Sequence, residues 1–269
     1  MNRDLKLFRC PCCMSSLTLN TNHIYCIDCN NKFKYDQSNN IYYLINPVSN
    51  EIVNTINIDW SNHWKNTNSL FYYIKKFMRS NMTGPIVKAA LLPFVEQKGI
   101  NILEAGSGLS ESSALIDFQD QRYISLDISN VALGKNVNDQ IKLQGDLFNI
   151  PITDKQIDLI FNVGVHEHYC DEENEKIFNE YYRVLKKNGL IVLLWPHYYG
   201  PLMLLAKLIN KVITVIRRKK YEIWPDQHNE IKNYKKVDNL LNKSGFSHVD
   251  HYMSIYDLFS TVVLTYNKN

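Results

Sequence analysis

The stretch Asn101-Ile102-Leu103-Glu104-Ala105-Gly106-Ser107-Gly108-Leu109-Ser110 decides how this chain is read. A short apolar run ends in an acidic residue and a glycine-rich turn, and Glu111 to Phe118 beyond it reads as a helix. Strand, tight loop and helix start, in that order, are the layout of a nucleotide-binding α/β unit. Gly106 and Gly108 can take backbone angles closed to other residues, so a ligand can approach the main chain there. The helix start beyond them would offer free N–H groups.

The next units repeat the pattern. Tyr123-Ile124-Ser125-Leu126 reads as a second apolar strand ending in Asp127. An acidic residue about 20 positions beyond the glycines, at a strand end, suits two ribose hydroxyls. The plainer reading makes Asp127 the N-cap of a helix from Ser129 to Gly134. A third unit follows, with strand Ile141 to Leu143 and then Gly145-Asp146-Leu147, and a fourth is Ile157-Asp158-Leu159-Ile160-Phe161-Asn162.

From Asn101 to about Asn267 the chain resembles the class I S-adenosylmethionine-dependent methyltransferases, of the type 11-like kind. Glu104-Ala-Gly-Ser-Gly resembles their first motif, Leu126-Asp127 the ribose motif, and Gly145-Asp146-Leu147 with Ile150-Pro151 the adenine-contacting segment. Val165-His166-Glu167-His168 is similar to the stretch after their fourth strand, and Arg183 to Leu190 to the turn into their fifth. Two departures stand out: Ser110 replaces a common third glycine, and Lys187-Asn188 replaces Pro-Gly. The resemblance implies an α/β fold with a Rossmann-like, seven-stranded, mostly parallel sheet and helices on both faces. It also implies S-adenosylmethionine as cofactor, held by Glu104, Gly106, Ser107, Gly108, Asp127, Ile128, Asp146, Leu147, Asn162 and Val163.

The bulk properties agree with a folded protein of ordinary size. The 269 residues can hold one domain plus a small module, and a composition 45% hydrophobic and 21% charged predicts a packed core instead of disorder. A net charge of +3 is too small to argue for nucleic acid by itself. Met1-Asn2-Arg3-Asp4 lacks the apolar core of a signal peptide, and the sequence has no uninterrupted apolar run long enough to span a bilayer. The expected location is cytoplasmic, with peripheral contact at the inner membrane face as a further option.

Five of the six cysteines lie in the first 29 residues. Cys10, Cys13, Cys26 and Cys29 form two C-x2-C pairs, a spacing that lets four thiolates surround one tetrahedral zinc. A module over residues 1–46 is too small to fold on its own apolar burial, so structural zinc would supply much of its stability. Cys12 is a spare that could replace Cys10 or Cys13. In layout, a ribbon before such a domain resembles the ribosomal-RNA guanine methyltransferases.

Residues 47–98 read as a linker and helical cap, and 99–269 as the main domain with a helical insertion at 200–220. Trp60 to Phe94 carries aromatic and basic residues together. A helix over Ser69 to Arg79 places Leu70, Tyr73 and Phe77 on one face, read first as a core face and second as a lid or a surface for stacking bases. Gly84-Pro85 reads as a break before a helix over Ile86 to Gln97.

Candidate bases are His166, Glu167, His168, His197 and His228, and of these His168, His197 and His228 are the histidines favoured for catalysis. In the insertion, Leu202 to Arg218 is apolar apart from one narrow stripe and ends in Arg217-Arg218-Lys219-Lys220. The leading expectation is a lid helix packing its wide face on the domain. An interfacial helix at an anionic membrane, over 202–220, and a basic edge for RNA phosphates are the alternatives. The acceptor is accordingly expected to be a small molecule or a lipid- or sugar-linked group, with RNA docked through the ribbon as the alternative. A third reading is a cofactor-binding module without catalysis.

Overall fold

The computed structural model describes residues 3–21, 23–46, 60–65, 70–138, 140–218 and 229–269. His228 and most of the 219–229 segment therefore lie outside the described residues, as does the linker over 47–59. The first four strands are β1 (Leu17–Asn20), β2 (His23–Cys26), β3 (Lys32–Asp36) and β4 (Ile41–Tyr43). Helices α1 (60–65), α2 (Leu70–Met78) and α3 (Gly84–Val95) follow. The remaining strands are β5 (Asn101–Ala105), β6 (Arg122–Asp127), β7 (Ile141–Gln144), β8 (Ile157–Val163), β9 (Leu185–Pro196), β10 (Phe246–Met253) and β11 (Thr261–Lys268). They alternate with α4 (Asn130–Lys135), α5 (Asp171–Val184), α6 (Pro201–Arg217) and α7 (Tyr234–Lys243).

The expected seven-stranded core is present in the order β7-β6-β5-β8-β9-β11-β10. The five strands from β7 to β9 are mutually parallel, and β11 and β10 close the sheet antiparallel. Ile102, Leu103, Ile124, Leu126, Ile160 and Phe161 are fully buried, as strands covered on both faces require. Because all five parallel strands point the same way, Ala105, Asp127, Gln144 and Val163 end at one rim.

The N-terminal strands join this sheet. β4 pairs parallel with β7 through Ile41↔Lys142 to Tyr43↔Gln144, so β1 to β4 extend the sheet to eleven strands. Phe8 bridges Ile152, and its ring lies 4.8 Å from Tyr42. Leu7, Phe8, Ile24, Phe33 and Leu44 share one core with Leu143, Ile150 and Ile152. The ribbon thus gains from the larger domain the apolar burial that its own length could not supply.

Four local expectations are corrected. Glu111 to Phe118 is not a helix: residues 111–115 form turns. The Ser113 hydroxyl donates to the Ser110 carbonyl, and serines that bond nearby backbone compete with the helical ladder. No helix start stands behind the glycine loop. Second, Gly84-Pro85 does not break the chain. A π-helical turn over Arg79–Thr83 carries α2 into α3, with the Gly84 N–H donating to the Arg79 carbonyl. Widening the turn relieves the clash a proline ring makes with the preceding carbonyl. Third, Tyr73 and Phe77 are exposed, so they are not a core face. Fourth, among the described side chains of α6 only Met203 and Ala206 are buried, and its wide apolar face points to solvent instead of packing on the domain.

Candidate functional site

The site begins where β5 ends. Glu104 is buried at the strand terminus and accepts hydrogen bonds from the hydroxyls of Ser110 at 2.6 Å, Ser113 at 3.2 Å, and Tyr123. Burial pushes its carboxyl up to about 7, against the pull of those donors. The loop beyond is tied to the neighbouring strand, because the N–H groups of Gly106 and Ser107 both donate to the Leu126 carbonyl. Gly106 has φ +71°, and a Cβ there would meet Val165 at 2.7 Å. Gly108 has φ +52°, and a Cβ there would meet the Trp64 ring at 2.8 Å. Both positions need glycine for conformation and for space.

Ser110 is left-handed too, at φ +53°. A side chain there costs roughly 1–2 kcal/mol. Its hydroxyl compensates by donating to Glu104 and accepting from Asn136 Nδ2 at 2.8 Å. The departure from a third glycine is therefore built into the hydrogen bonding of the loop.

Asp127 ends β6 beside this loop. Oδ2 accepts from the Gly108 N–H and Oδ1 from the Ser129 N–H, both at 2.8 Å. Ser129, not Asp127, caps α4, because the Ser129 hydroxyl accepts from the Ala132 N–H. Asp127 also lines the cavity, so its carboxylate is within reach of a bound ligand. Burial holds the group up at about 6. Asp146 accepts from the Phe148 N–H at 2.9 Å, and burial raises its carboxyl as well.

One cavity runs along these strand ends. Its walls include Glu104, Gly106, Ser107, Gly108, Asp127, Ile128, Asp146, Leu147 and Val163, nine of the ten residues expected to hold the cofactor. Asn162, the tenth, is turned inward: its Nδ2 contacts His166 Nε2 at 2.7 Å and the Tyr181 hydroxyl at 3.4 Å.

The short turn His166–His168 sorts its three residues sharply. His166 is a core residue between Asn162 and Asn174, and burial pushes it down to about 4. It is neutral, so one ring nitrogen donates to the Asn174 oxygen while the other accepts from Asn162. Glu167 and His168 line the cavity. The Glu167 Oε2 atom is buried without a hydrogen-bond partner, and burial pushes the carboxyl up to about 8. His168 packs edge-on against Trp60 with ring centroids 5.1 Å apart. His197, half-buried beside Tyr199, is not among the residues lining the cavity; its backbone bridges Ile231.

The cap forms the facing wall. Trp60, His63 and Trp64 come from α1, and Met78, Arg79, Met82 and Thr83 from the end of α2 and its π-turn. Arg79 pairs with Glu111 at 3.0 Å and lies over the Trp64 ring at 5.0 Å. The Tyr72 hydroxyl donates to the other Glu111 oxygen, and Lys135 reaches the Trp64 carbonyl. The Ser61 and Ser129 hydroxyls meet at 3.0 Å. Burial and the nearby Lys75 push His63 down to about 4, leaving it neutral. The far end is lined by Leu202, Met203, Asp257, Ser260 and Thr261. Motif reading missed Glu111 and Asp257 as site residues. Asp257 reaches the cavity only because β11 pairs with β9, and its Oδ2 is buried without a hydrogen-bond partner.

A second constellation lies in the ribbon. The sulfurs of Cys10, Cys13, Cys26 and Cys29 all fall within 4.8 Å of one another. Cys10 is 3.6 Å from Cys29, and Cys13 is 3.3 Å from Cys26. A tetrahedral zinc with Zn–S near 2.3 Å needs sulfurs about 3.8 Å apart, so these four fit one ion. The Cys12 and Cys29 N–H groups point at the Cys10 and Cys26 sulfurs, as donors that steady thiolates do. Cys12 Sγ turns away to Asn46, so geometry favours the outer pair.

Residues 103–193 match the family described as a methyltransferase domain. No curated protein matches the chain. Among solved structures, the fold is similar to magnesium protoporphyrin IX methyltransferase from Synechocystis PCC 6803 with bound SAH. That likeness has a TM-score of 0.56 and 16% identity, covering 83% of this chain and 99% of that one. The PH0226 protein from Pyrococcus horikoshii OT3 gives 0.55 and 18%, covering 78% and 97%. The cyclase SpnF gives 0.52 and 12%, covering 69% and 80%, so the fold by itself does not name a reaction.

Proposed function

We propose that the protein methylates a small-molecule acceptor enclosed between the strand ends and the aromatic cap, because residues 103–193 match the methyltransferase-domain family and the fold is similar to that of S-adenosylmethionine-dependent methyltransferases. The single observation that carries this reading is the continuous cavity from the Gly106–Ser110 loop to Asp257 and Thr261.

The cofactor fits the residues present. Gly106, Gly108, Asp127, Asp146 and Leu147 all line the cavity; the Asp127 carboxylate is proposed to accept from the ribose hydroxyls, with Asp146 and Leu147 beside the adenine. When bound, S-adenosylmethionine supplies an electrophilic methyl on a sulfonium whose leaving group is neutral. The chain's own task is to align the acceptor and exclude water. Trp60, Trp64, Met78 and Met82 supply an apolar wall for that purpose. His168 is the proposed proton acceptor for a hydroxyl or amine acceptor, as the expected catalytic histidine that lines the cavity. Glu167, neutral below about pH 8, would donate a hydrogen bond to the acceptor instead of taking its proton. His197 receives less support, being off the cavity wall.

The four-cysteine cluster is proposed to hold structural zinc. A closed set of four sulfurs leaves no open coordination position for catalysis. The ribbon's pairing with β7 supports a role in bracing the sheet edge next to Asp146. RNA docking through the ribbon remains an outcome that the acceptor experiment can return.

Calorimetry with SAH on zinc-loaded protein tests the cofactor half of this proposal. Saturable heat that Asp127→Ala weakens at least tenfold, by roughly 1.4 kcal/mol or more, is expected from losing charge-assisted hydrogen bonds to ribose. Absence of heat would refute it.

A further inference from the structure

Helix α6 is built the wrong way round for a lid. From Pro201 to Lys220 the sequence holds six cations and no acid, and most of the rest is aliphatic. Leu208, Val215 and Ile216 are 59%, 71% and 74% exposed, and Leu205 and Val212 are exposed beside them. Lys211 is exposed on the same helix, and Arg218 is exposed at its C-cap. Arg218, Lys219 and Lys220 then follow in sequence. An aliphatic helix face flanked by cations suits one environment better than water: the boundary of a membrane with anionic headgroups.

A second element makes the same statement independently. In the turn from Ile255 to Phe259, Ile255, Tyr256, Leu258 and Phe259 all project to solvent. Leu258 and Phe259 have φ +54° and +58°, a conformation that bulky residues rarely adopt. The Phe259 N–H to Ser254 carbonyl bond at 2.8 Å holds this backbone in place. Strained backbone that presents apolar side chains outward points to a surface that meets something apolar.

The two elements meet at the same end of the cavity. Leu202 and Met203 of α6 line the cavity, as do Asp257, Ser260 and Thr261 next to the turn. The Leu202 N–H donates to the Ser260 hydroxyl at 3.0 Å, and Gly200 lies so close to Ser260 that a Cβ would sit 2.6 Å from its Cα. The π-turn after α2 packs against residues 255–257, which brings the exposed Tyr73 and Phe77 of α2 onto a neighbouring element. Among the described residues no helix is long and apolar enough to cross a membrane.

We propose that α6 and the Ile255–Phe259 turn form a docking surface for an anionic lipid bilayer, setting the cavity mouth against the membrane so that an amphipathic acceptor enters from the lipid. The docking surface stands on exposure, charge and backbone geometry. Only the entry of the acceptor rests on the methyltransferase reading.

The test is co-sedimentation of the full chain with vesicles of phosphatidylcholine, with and without phosphatidylglycerol. Val215→Asp with Phe259→Asp is the variant, because Asp is among the residues most at ease at positive φ and neither position lines the cavity. Expected results are binding to the anionic vesicles, weaker binding to the neutral ones, loss in high salt, and a fall of at least about tenfold in the variant. SAH affinity should stay unchanged in the variant. No binding to anionic vesicles, or equal binding by variant and wild type, would overturn the proposal. A solution dimer that the variant dissociates, without vesicle binding, would overturn it in favour of a second copy. Vesicle binding by a protein that takes no SAH would support the surface and count against the methyltransferase reading alone.

Discussion

Replacing Glu167 by Gln should stabilise the ligand-free protein, and only where pH is high. Glu167 is 2% exposed, its Oε2 lacks a partner, and burial pushes its carboxyl from an ordinary 4.5 up to about 8. Between those values the folded protein keeps a proton that the unfolded chain has lost. Stability from this group is therefore full below about pH 4.5 and is lost as pH rises through 8. The whole interval corresponds to a ceiling of roughly 5 kcal/mol at 1.4 kcal/mol per pH unit. Relaxation and water entry bring the expected difference between pH 5 and pH 8 to about 3 kcal/mol. Glu104 and Asp127 also titrate in this range, pushed up to about 7 and about 6, but they remain in both proteins and cancel. At roughly 2–4 °C per kcal/mol, the Tm gap between Glu167→Gln and wild type should widen by about 6–12 °C from pH 5 to pH 8. Thermal unfolding of both proteins at the two pH values measures it. Parallel Tm curves would show that the Glu167 carboxyl is not held neutral, and the account of this wall of the cavity would fail.

Further expectations concern the loop, the ribose site and the metal. Gly108→Ala should abolish SAH binding, because the new Cβ meets Trp64 at 2.8 Å with φ already positive. Gly99→Ala, with open space around it, should cost only the backbone strain of about 1–2 kcal/mol and leave binding intact. SAH affinity should rise from pH 5 to pH 7 as Asp127 ionises near 6 and becomes the better acceptor; calorimetry on Asp127→Asn should show that dependence gone. Elemental analysis should find one zinc per chain. Chelation or Cys26→Ser should lower the Tm and weaken SAH binding as well, because β4 braces β7 beside Asp146.

The sequence carried the fold wherever the signal was local. The apolar strand runs and their acidic ends needed no partner to be recognised, and Glu104, Asp127 and Asp146 all reach the cavity wall. Non-local pairing was out of reach. Nothing in Ile41-Tyr42-Tyr43 says that it will lie against β7, and nothing near Asp257 says that β11 will carry it to the cavity. Periodicity described α6 as apolar with a polar stripe but could not say whether its wide face meets protein or solvent. The helix expected at Glu111 failed for a readable reason. Ser112 and Ser113 follow a left-handed Ser110, and Ser113 bonds back to the Ser110 carbonyl and Glu104. His166, His168 and His197 look alike in sequence; only packing separates the core histidine from the one beside Trp60 and from the one off the wall.

The most direct test of the central claim is transfer of labelled methyl from S-adenosylmethionine into a cell extract, followed by separation into RNA, protein, lipid and small-molecule fractions. Label is expected in the lipid or small-molecule fraction, and is expected to be lost with Asp127→Ala. Label confined to RNA or protein, or no label from a protein that binds SAH, would contradict it.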